Sequence, residues 1–319
     1  MVLELSKEKW TGKIEIVSIG DKKKVCIGGQ STLPFLFEEG DFPYRPVVAL
    51  EIWDAPPLDW PDNLVVALED VIREPVKWAK KAKSLGVDLI CLRLSGIHPE
   101  GLNRSAEEVT GITKDIFEET SFPLIVIGCG DDSKDNLVLP QLSETMKTKQ
   151  LLIGEATQNN YKTLAVSCLA DGHNIIAQSP IDINISKQLN ILISEMGLPL
   201  NRIVINPTTG GLGYGLEYTY SIMERARLAA LSGDKMLGCP FICFVGQESW
   251  RAKEAKAKFS EYPDWGDEYK RGIIWEVATA CGLLQAGADI LVMRHPEAVK
   301  IVKEYIEDLM KGGEKRDSS

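Results

Sequence analysis

The sequence predicts a (β/α)8 barrel preceded by an N-terminal β-hairpin and arm. Three observations carry that expectation. Eight short apolar runs recur along the chain, and most are continuous rather than alternating, as in strands covered on both faces. The gaps between them hold helical patterns, as parallel βα units require. After the sixth run, Ile203-Val204-Ile205-Asn206 passes into Gly210-Gly211-Leu212-Gly213-Tyr214-Gly215 and then into a helical pattern ending at Leu231. That places a glycine-dense loop at the strand end where a barrel keeps its ligand.

In chain order, Lys13-Ile14-Glu15-Ile16-Val17-Ser18-Ile19 alternates, Gly20-Asp21 turns, and Lys24-Val25-Cys26-Ile27 returns, a hairpin pattern. Pro34, Pro43 and Pro46 then mark an irregular arm, a piece able to cover one barrel end. The eight runs are Val47–Leu50, Asp88–Leu94, Leu124–Ile127, Leu151–Ile153, Asn174–Ala177, Arg202–Ile205, Phe241–Val245 and Asp289–Met293. Glu74-Pro75 opens a helix that closes at Gly86. Ser105-Ala106-Glu107-Glu108 is a capping pattern, and Asp131 and Asp182 stand as N-caps. Pro296 opens the last helix, with Val299, Val302, Ile306 and Leu309 on one face. The expected organisation is hairpin and arm over 1–45, barrel over 46–311 and a disordered tail over 312–319.

Of the 319 residues, 44% are hydrophobic and 26% charged, as in a soluble globular protein. A net charge of −10 argues against nucleic acid or an anionic membrane as partner. No apolar run approaches the roughly 20 residues needed to span a bilayer. The N-terminus is charged and lacks a signal-peptide core, so a cytoplasmic protein is expected. Cys26, Cys91, Cys129, Cys168, Cys239, Cys243 and Cys281 are scattered, mostly within apolar segments, and no CxxC occurs. Buried thiols in a reducing compartment are expected, with no metal held by this chain.

The strand ends are polar but poor in reactive groups. They offer Glu51 and Asp54; Ser95 and His98; Asp131; Glu155 and Asn159; Gln178, Ser179 and Asp182; Asn206 through Gly215; Gln247 and Glu248; and Met293, Arg294 and His295. No predicted strand contains a lysine for Schiff-base chemistry, and no Ser-His-Asp set is legible, so no catalytic residue is assigned. The last strand ends without glycines, so the phosphate cradle common after strands seven and eight is not evident. Glu51 reads equally as a proton-transfer group or a loop cap, whereas His295 before Pro296 reads as a cap. The glycine loop lacks GxGxxG spacing; it suits either a tight turn or close approach to a flat ligand or partner chain. The segment Phe259-Ser260-Glu261-Tyr262-Pro263-Asp264-Trp265 is aromatic and irregular, fit for an interface or for packing on its own barrel.

Five segments together carry a family resemblance: Asn174-Ile175-Ile176-Ala177-Gln178-Ser179-Pro180-Ile181-Asp182-Ile183-Asn184, the glycine loop, Ser221-Ile222-Met223-Glu224-Arg225, Trp250-Arg251-Ala252-Lys253-Glu254-Ala255, and Leu291-Val292-Met293-Arg294-His295-Pro296-Glu297-Ala298. On these the sequence resembles the small (delta) subunit of the corrinoid iron–sulfur protein, the partner of carbon monoxide dehydrogenase/acetyl-CoA synthase in the reductive acetyl-CoA pathway. The resemblance spans about Pro34 to Met310. It implies a TIM barrel related to pterin-binding methyltransferases, and a heterodimer with a large subunit that carries the [4Fe-4S] cluster and the cobamide-holding domain. The implied role is a methyl carrier. Co(I) accepts a methyl group from a methyltetrahydrofolate-dependent methyltransferase, and acetyl-CoA synthase receives it. The implied position of the cobamide is at the barrel mouth. Cofactor contacts are expected from Gln178, Asn206, Thr209, Gly210, Gly211, Gly213, Tyr214, Gly215, Met293 and Arg294. Glycines there would let backbone approach a flat macrocycle. The pterin-binding relatives have Ile-Asp-Pro where this chain has Ile205-Asn206-Pro207, and asparagine where it has Gln247. These departures count against the alternative, a pterin-dependent methyltransferase acting through its own barrel.

Overall fold

The computed structural model describes residues 7–314. The chain enters through the expected hairpin, β1 (Ile16–Ile19) and β2 (Val25–Gly28), paired antiparallel with Ile19 opposite Val25. Eight parallel strands follow: β3 (Val47–Trp53), β4 (Leu89–Arg93), β5 (Leu124–Ile127), β6 (Leu152–Ala156), β7 (Asn174–Gln178), β8 (Ile203–Asn206), β9 (Phe241–Cys243) and β10 (Ala288–Met293). Each pairs with the next in sequence, and β10 returns to β3 with Met293 opposite Leu50, closing the barrel.

Two apolar layers explain why these runs are continuous. Val47, Ala49, Leu89, Cys91, Ile125, Ile127, Leu152, Ile176, Val204, Ile242, Ile290 and Val292 fill the barrel interior. The intervening residues, such as Val48, Leu50, Ile90, Val126, Ile175, Ile205, Leu291 and Met293, pack against the surrounding helices. Successive side chains alternate between the layers because a strand has a period of two. Val17, Ile19 and Ile27 of the hairpin join the interior cluster, and Asn174 Nδ2 donates to the Ser18 carbonyl at 2.8 Å. The hairpin therefore plugs the end where the strands begin and leaves their C-terminal ends as the open mouth.

The local signals act as their chemistry requires. Ser105 Oγ accepts from Glu108 N (3.2 Å) while Glu108 accepts from Ser105 N (2.8 Å), a complete capping box before helix Ala106–Thr120. Asp131 caps through Lys134 N and Asp182 through Asn184 N and Ile185 N. His295 Nδ1 accepts from Glu297 N at 3.1 Å, so it caps helix Pro296–Glu314.

Several boundaries differ from expectation: the first barrel strand runs on to Trp53 and the fourth to Ala156, and two other differences change the assignment of residues. The seventh barrel strand ends at Cys243, and Val245 opens a short helix to Ser249, because Phe244 leaves the extended region and carbonyls there accept helical bonds. The last helix continues through Glu314, with Gly313 against the Phe37 ring, so residues 312–314 belong to it rather than to a tail. Residues 315–319 of the expected tail lie outside the described residues.

Candidate functional site

Period-two parity carries each strand's interior face up to the mouth. Beyond Ala49, Cys91, Ile176, Val204, Ile242 and Val292 it presents Glu51, Arg93, Gln178, Asn206, Phe244 and Arg294. On β3, β4, β7, β8 and β10 the barrel thus exchanges an apolar interior for a polar top layer within one step.

Glu51 is the centre of that layer. It accepts from Arg93 Nε (2.6 Å), from Arg294 Nε (2.9 Å) and Nη2 (3.2 Å), and from Trp53 Nε1 (2.9 Å). Burial pushes its carboxyl up, but Arg294 and Arg93 outweigh burial and hold it down at about 2. A carboxylate so bound is no proton-transfer group, and it lies within β3 rather than capping a loop; both sequence readings of Glu51 give way to a buried Arg–Glu–Arg triad. Arg93 also donates to Gln247 Oε1 at 2.6 Å, and Arg294 stacks over Trp60 (4.7 Å) and Trp53 (5.6 Å).

Beneath Arg294 lies a second buried carboxylate. Glu276 accepts from Arg294 N (2.6 Å), His295 N (3.1 Å) and Trp250 Nε1 (2.7 Å), so it orients the end of β10. Burial pushes Glu276 up to about 7 against these donors, and it lowers His295 to about 4.

On the opposite side, Glu155 is half-buried and receives Asn206 Nδ2. Burial raises its carboxyl, against the pull of Arg93 and Asn206. The remaining mouth acids serve the fold. Asp54 accepts from Ser95 Oγ, Gly96 N and Arg104 Nη1; Asp135 accepts from Cys129 N and Gly130 N. All seven cysteines are free thiols, with Cys129 pushed up to about 12 by burial. Among the described residues no group of three or more His, Cys, Asp or Glu is arranged to hold a metal ion. No described helix is long and apolar enough to cross a membrane.

The residues singled out from the sequence divide. Gln178 and Asn206 are register partners on the inner face, and Arg294 joins them in the top layer. Asn206 spends its amide on Glu155 and its carbonyl on Thr208 N. Thr209 is buried, and its hydroxyl accepts from Phe244 N at 2.8 Å. The loop Gly210–Gly215 packs on helix Glu268–Gln285: Leu212 N donates to Thr279 Oγ1, and Trp275 Nε1 donates to the Leu212 carbonyl. A Cβ on Gly210 would lie 2.3 Å from the Gly215 carbonyl oxygen, so close packing within the protein itself requires that glycine, and one on Gly211 would lie tightly, 3.2 Å from the Glu248 carbonyl oxygen. Tyr214 remains 54% exposed, with its hydroxyl 3.0 Å from Glu254 Oε2. Met293 is corrected: it is fully buried in the helix-side layer, because adjacent strand residues face opposite ways and Arg294 takes the mouth.

Sequence reasoning missed Arg93 and Trp53. The signal for Arg93 was present: an arginine closes Leu89-Ile90-Cys91-Leu92-Arg93 with the parity of the interior residues Leu89 and Cys91. The aromatic segment lies beside the glycine loop. Tyr262 stacks on Trp265 at 4.3 Å, Lys253 Nζ lies 4.4 Å from the Tyr262 ring, and Trp265 stays 40% exposed.

Solved structures share the architecture. Dihydropteroate synthase from Thermus thermophilus superposes with a TM-score of 0.55 at 13% identity, covering 87% of this chain and 98% of that one. The Vibrio fischeri 7,8-dihydropteroate synthase gives 0.54 at 14% identity, covering 91% of this chain and 98% of that one. At such identity the likeness shows the fold alone. Among characterised sequences, the acetyl-CoA decarbonylase/synthase complex subunit delta of Archaeoglobus fulgidus is 33% identical over 317 residues, 95% of this chain and 70% of the relative. Its counterpart in Methanopyrus kandleri is 34% identical over 295 residues, 92% of this chain and 72% of the relative. The profile of the family described as CO dehydrogenase/acetyl-CoA synthase delta subunit matches residues 13–307. With the hairpin, the whole barrel and most of the last helix inside that match, this chain belongs to the CO dehydrogenase/acetyl-CoA synthase delta subunit family.

Proposed function

We propose that this chain is the small, non-catalytic or only assisting subunit of a corrinoid iron–sulfur methyl carrier, and that its barrel mouth caps the cobamide held by a large subunit. The [4Fe-4S] cluster belongs to that partner, and the carrier serves a methyltetrahydrofolate-dependent methyltransferase and acetyl-CoA synthase. One observation supports the non-catalytic part: the mouth acids Glu51, Asp54 and Asp135 are consumed by ion pairs and backbone donors, which leaves Glu155, bonded to Asn206, without one of them as an acid–base partner. Family membership supports the corrinoid part.

The residues suit an amide-rimmed planar ligand. Gln178 and Asn206 face the mouth together, Glu155 offers a carboxyl oxygen beyond its bond to Asn206, and Trp53 and Tyr214 supply apolar area at the rim. When bound, the cobamide supplies the methyl-transfer chemistry; this chain orients it and excludes water from the face it covers. The cytoplasm is the compartment that fits the free thiols.

The test is reconstitution. The corrinoid absorption spectrum is expected only in samples containing the large subunit, and Gly213→Val is expected to weaken cobamide retention or slow methyl transfer in the heterodimer. Gly213 has φ 76°, and a Cβ there would meet only Trp275, at 3.7 Å. Valine at that φ costs about 1–3 kcal/mol and leaves the barrel folded. A folded, assembled variant with normal retention and turnover would reduce the loop to a turn. Stoichiometric tight binding of methyltetrahydrofolate to this chain alone would overturn the non-catalytic reading.

Hydrogen exchange gives a second expectation. Amides of 210–215 and 259–265 gain protection when the heterodimer forms. Protection gained only at the hairpin end would place the partner elsewhere.

A further inference from the structure

The mouth contains a cleft that shares Trp53 and Arg294 with the surface assigned to the cobamide. It has a volume of about 440 Å³, and its lining includes Trp53, Arg93, Ser95, His98, Gln247 and Arg294. We propose that this cleft binds an oxyanion, the phosphate or carboxylate group of a small ligand, between the guanidiniums of Arg93 and Arg294.

The charge count is the first reason. Two arginines from β4 and β10 converge on one carboxylate, Glu51, which lies fully buried between them. Counted against Glu51 alone, the pair keeps one positive charge at a site walled by protein, where a charge interacts far more strongly than in water. Two neighbouring acids offset part of it without occupying the guanidinium heads. Glu155 attracts Arg93 but hydrogen-bonds Asn206, and Glu276 attracts Arg294 but accepts from the backbone N–H groups of Arg294 and His295; Asp59 on the cleft wall is exposed, and Glu248 pairs with Arg251 at 3.1 Å.

Geometry is the second reason. Arg93 uses Nε on Glu51 and Nη2 on Gln247; Arg294 uses Nε and Nη2 on Glu51. Nη1 of each makes no hydrogen bond to a protein acceptor among the described residues, and both arginines line the cleft. Each guanidinium also lies over an aromatic ring: that of Arg93 is 5.7 Å from the Phe244 centroid, and that of Arg294 4.7 Å from the Trp60 centroid. Ordering these forks in advance removes most of the entropy that an arginine loses on binding. Ser95 and His98 add polar groups at the rim. Side chains thus supply what the glycine-free end of the last strand cannot supply from backbone amides.

The experiment uses the full chain without cobamide or partner, so its result is independent of the capping role. Inorganic phosphate and succinate are titrated separately at constant ionic strength, with calorimetry and tryptophan fluorescence as readouts because Trp53 lines the cleft. Saturable binding of either is expected, and the anion that binds identifies the ligand class. Arg294→Lys and Arg93→Lys keep the charge but lose the fork, and each is expected to weaken binding at least tenfold while thermal unfolding shows a folded chain. If one variant fails to fold, the other decides. Absence of saturable binding for both anions, or unchanged affinity in the folded variants, would overturn the proposal.

Discussion

Replacing Glu51 with glutamine is expected to destabilise the chain by about 3–5 kcal/mol, the range for removing one partner of a buried ion pair. The substitution keeps the volume and one carbonyl oxygen, but it leaves Arg93 and Arg294 facing each other without a counter-charge. The pH dependence identifies the cause. Glu51 is held at about 2, below its ordinary 4.5, so its contribution is complete above about pH 4.5 and is lost as pH falls toward 2. The gap between those values corresponds to roughly 3 kcal/mol. Urea unfolding of the wild type and Glu51→Gln at pH 7 and pH 3 should show a difference that shrinks in acid. A difference below about 1 kcal/mol at pH 7 would mean that water, not Glu51, balances the arginines.

Glu276→Ala is expected to cost about 3 kcal/mol or more, because three buried donors lose their only acceptor and each such loss costs about 1–3 kcal/mol. The donors are Arg294 N, His295 N and Trp250 Nε1. The sign of its pH dependence is opposite to that of Glu51. Glu276 is raised from 4.5 to about 7, so its contribution is complete below about pH 4.5 and fades as pH rises through 7. The stability difference between wild type and Glu276→Ala should therefore be larger at pH 5 than at pH 8. Faster amide exchange at Arg294 and His295 in the variant would locate the effect at the end of β10. A pH-independent difference would show that lost packing against Trp250, rather than the carboxyl, sets the cost. The two experiments together separate what holds Arg294 by its side chain from what holds it by its backbone.

Much of the architecture was legible in the chain because its causes are local. A strand buried on both faces must be apolar throughout, a helix must begin with a cap, and both rules act within a few residues. Hence the barrel, the hairpin and the caps at Ser105, Asp131, Asp182 and His295 could all be read in order. The glycine loop was legible as a loop, but its cause was not. Gly210 faces the Gly215 carbonyl within the loop, while Gly211 faces the backbone of Glu248, more than thirty residues away, and neither contact has a signature in composition.

The sequence by itself determined the fold class, the family and the polarity of the mouth; tertiary structure decided which polar residues share it. Glu51 and Arg93 belong to the first and second barrel strands and Arg294 directly follows the eighth, and only the pairing of β10 with β3 makes the eighth a neighbour of the first. Their ion pairs depend on that closure and on strand parity together. The same parity turns Met293 toward the helices and Arg294 toward the mouth, although the two are adjacent in the chain. An individual side chain carries charge and size, whereas the partner that neutralises it is chosen by how the strands come round to meet.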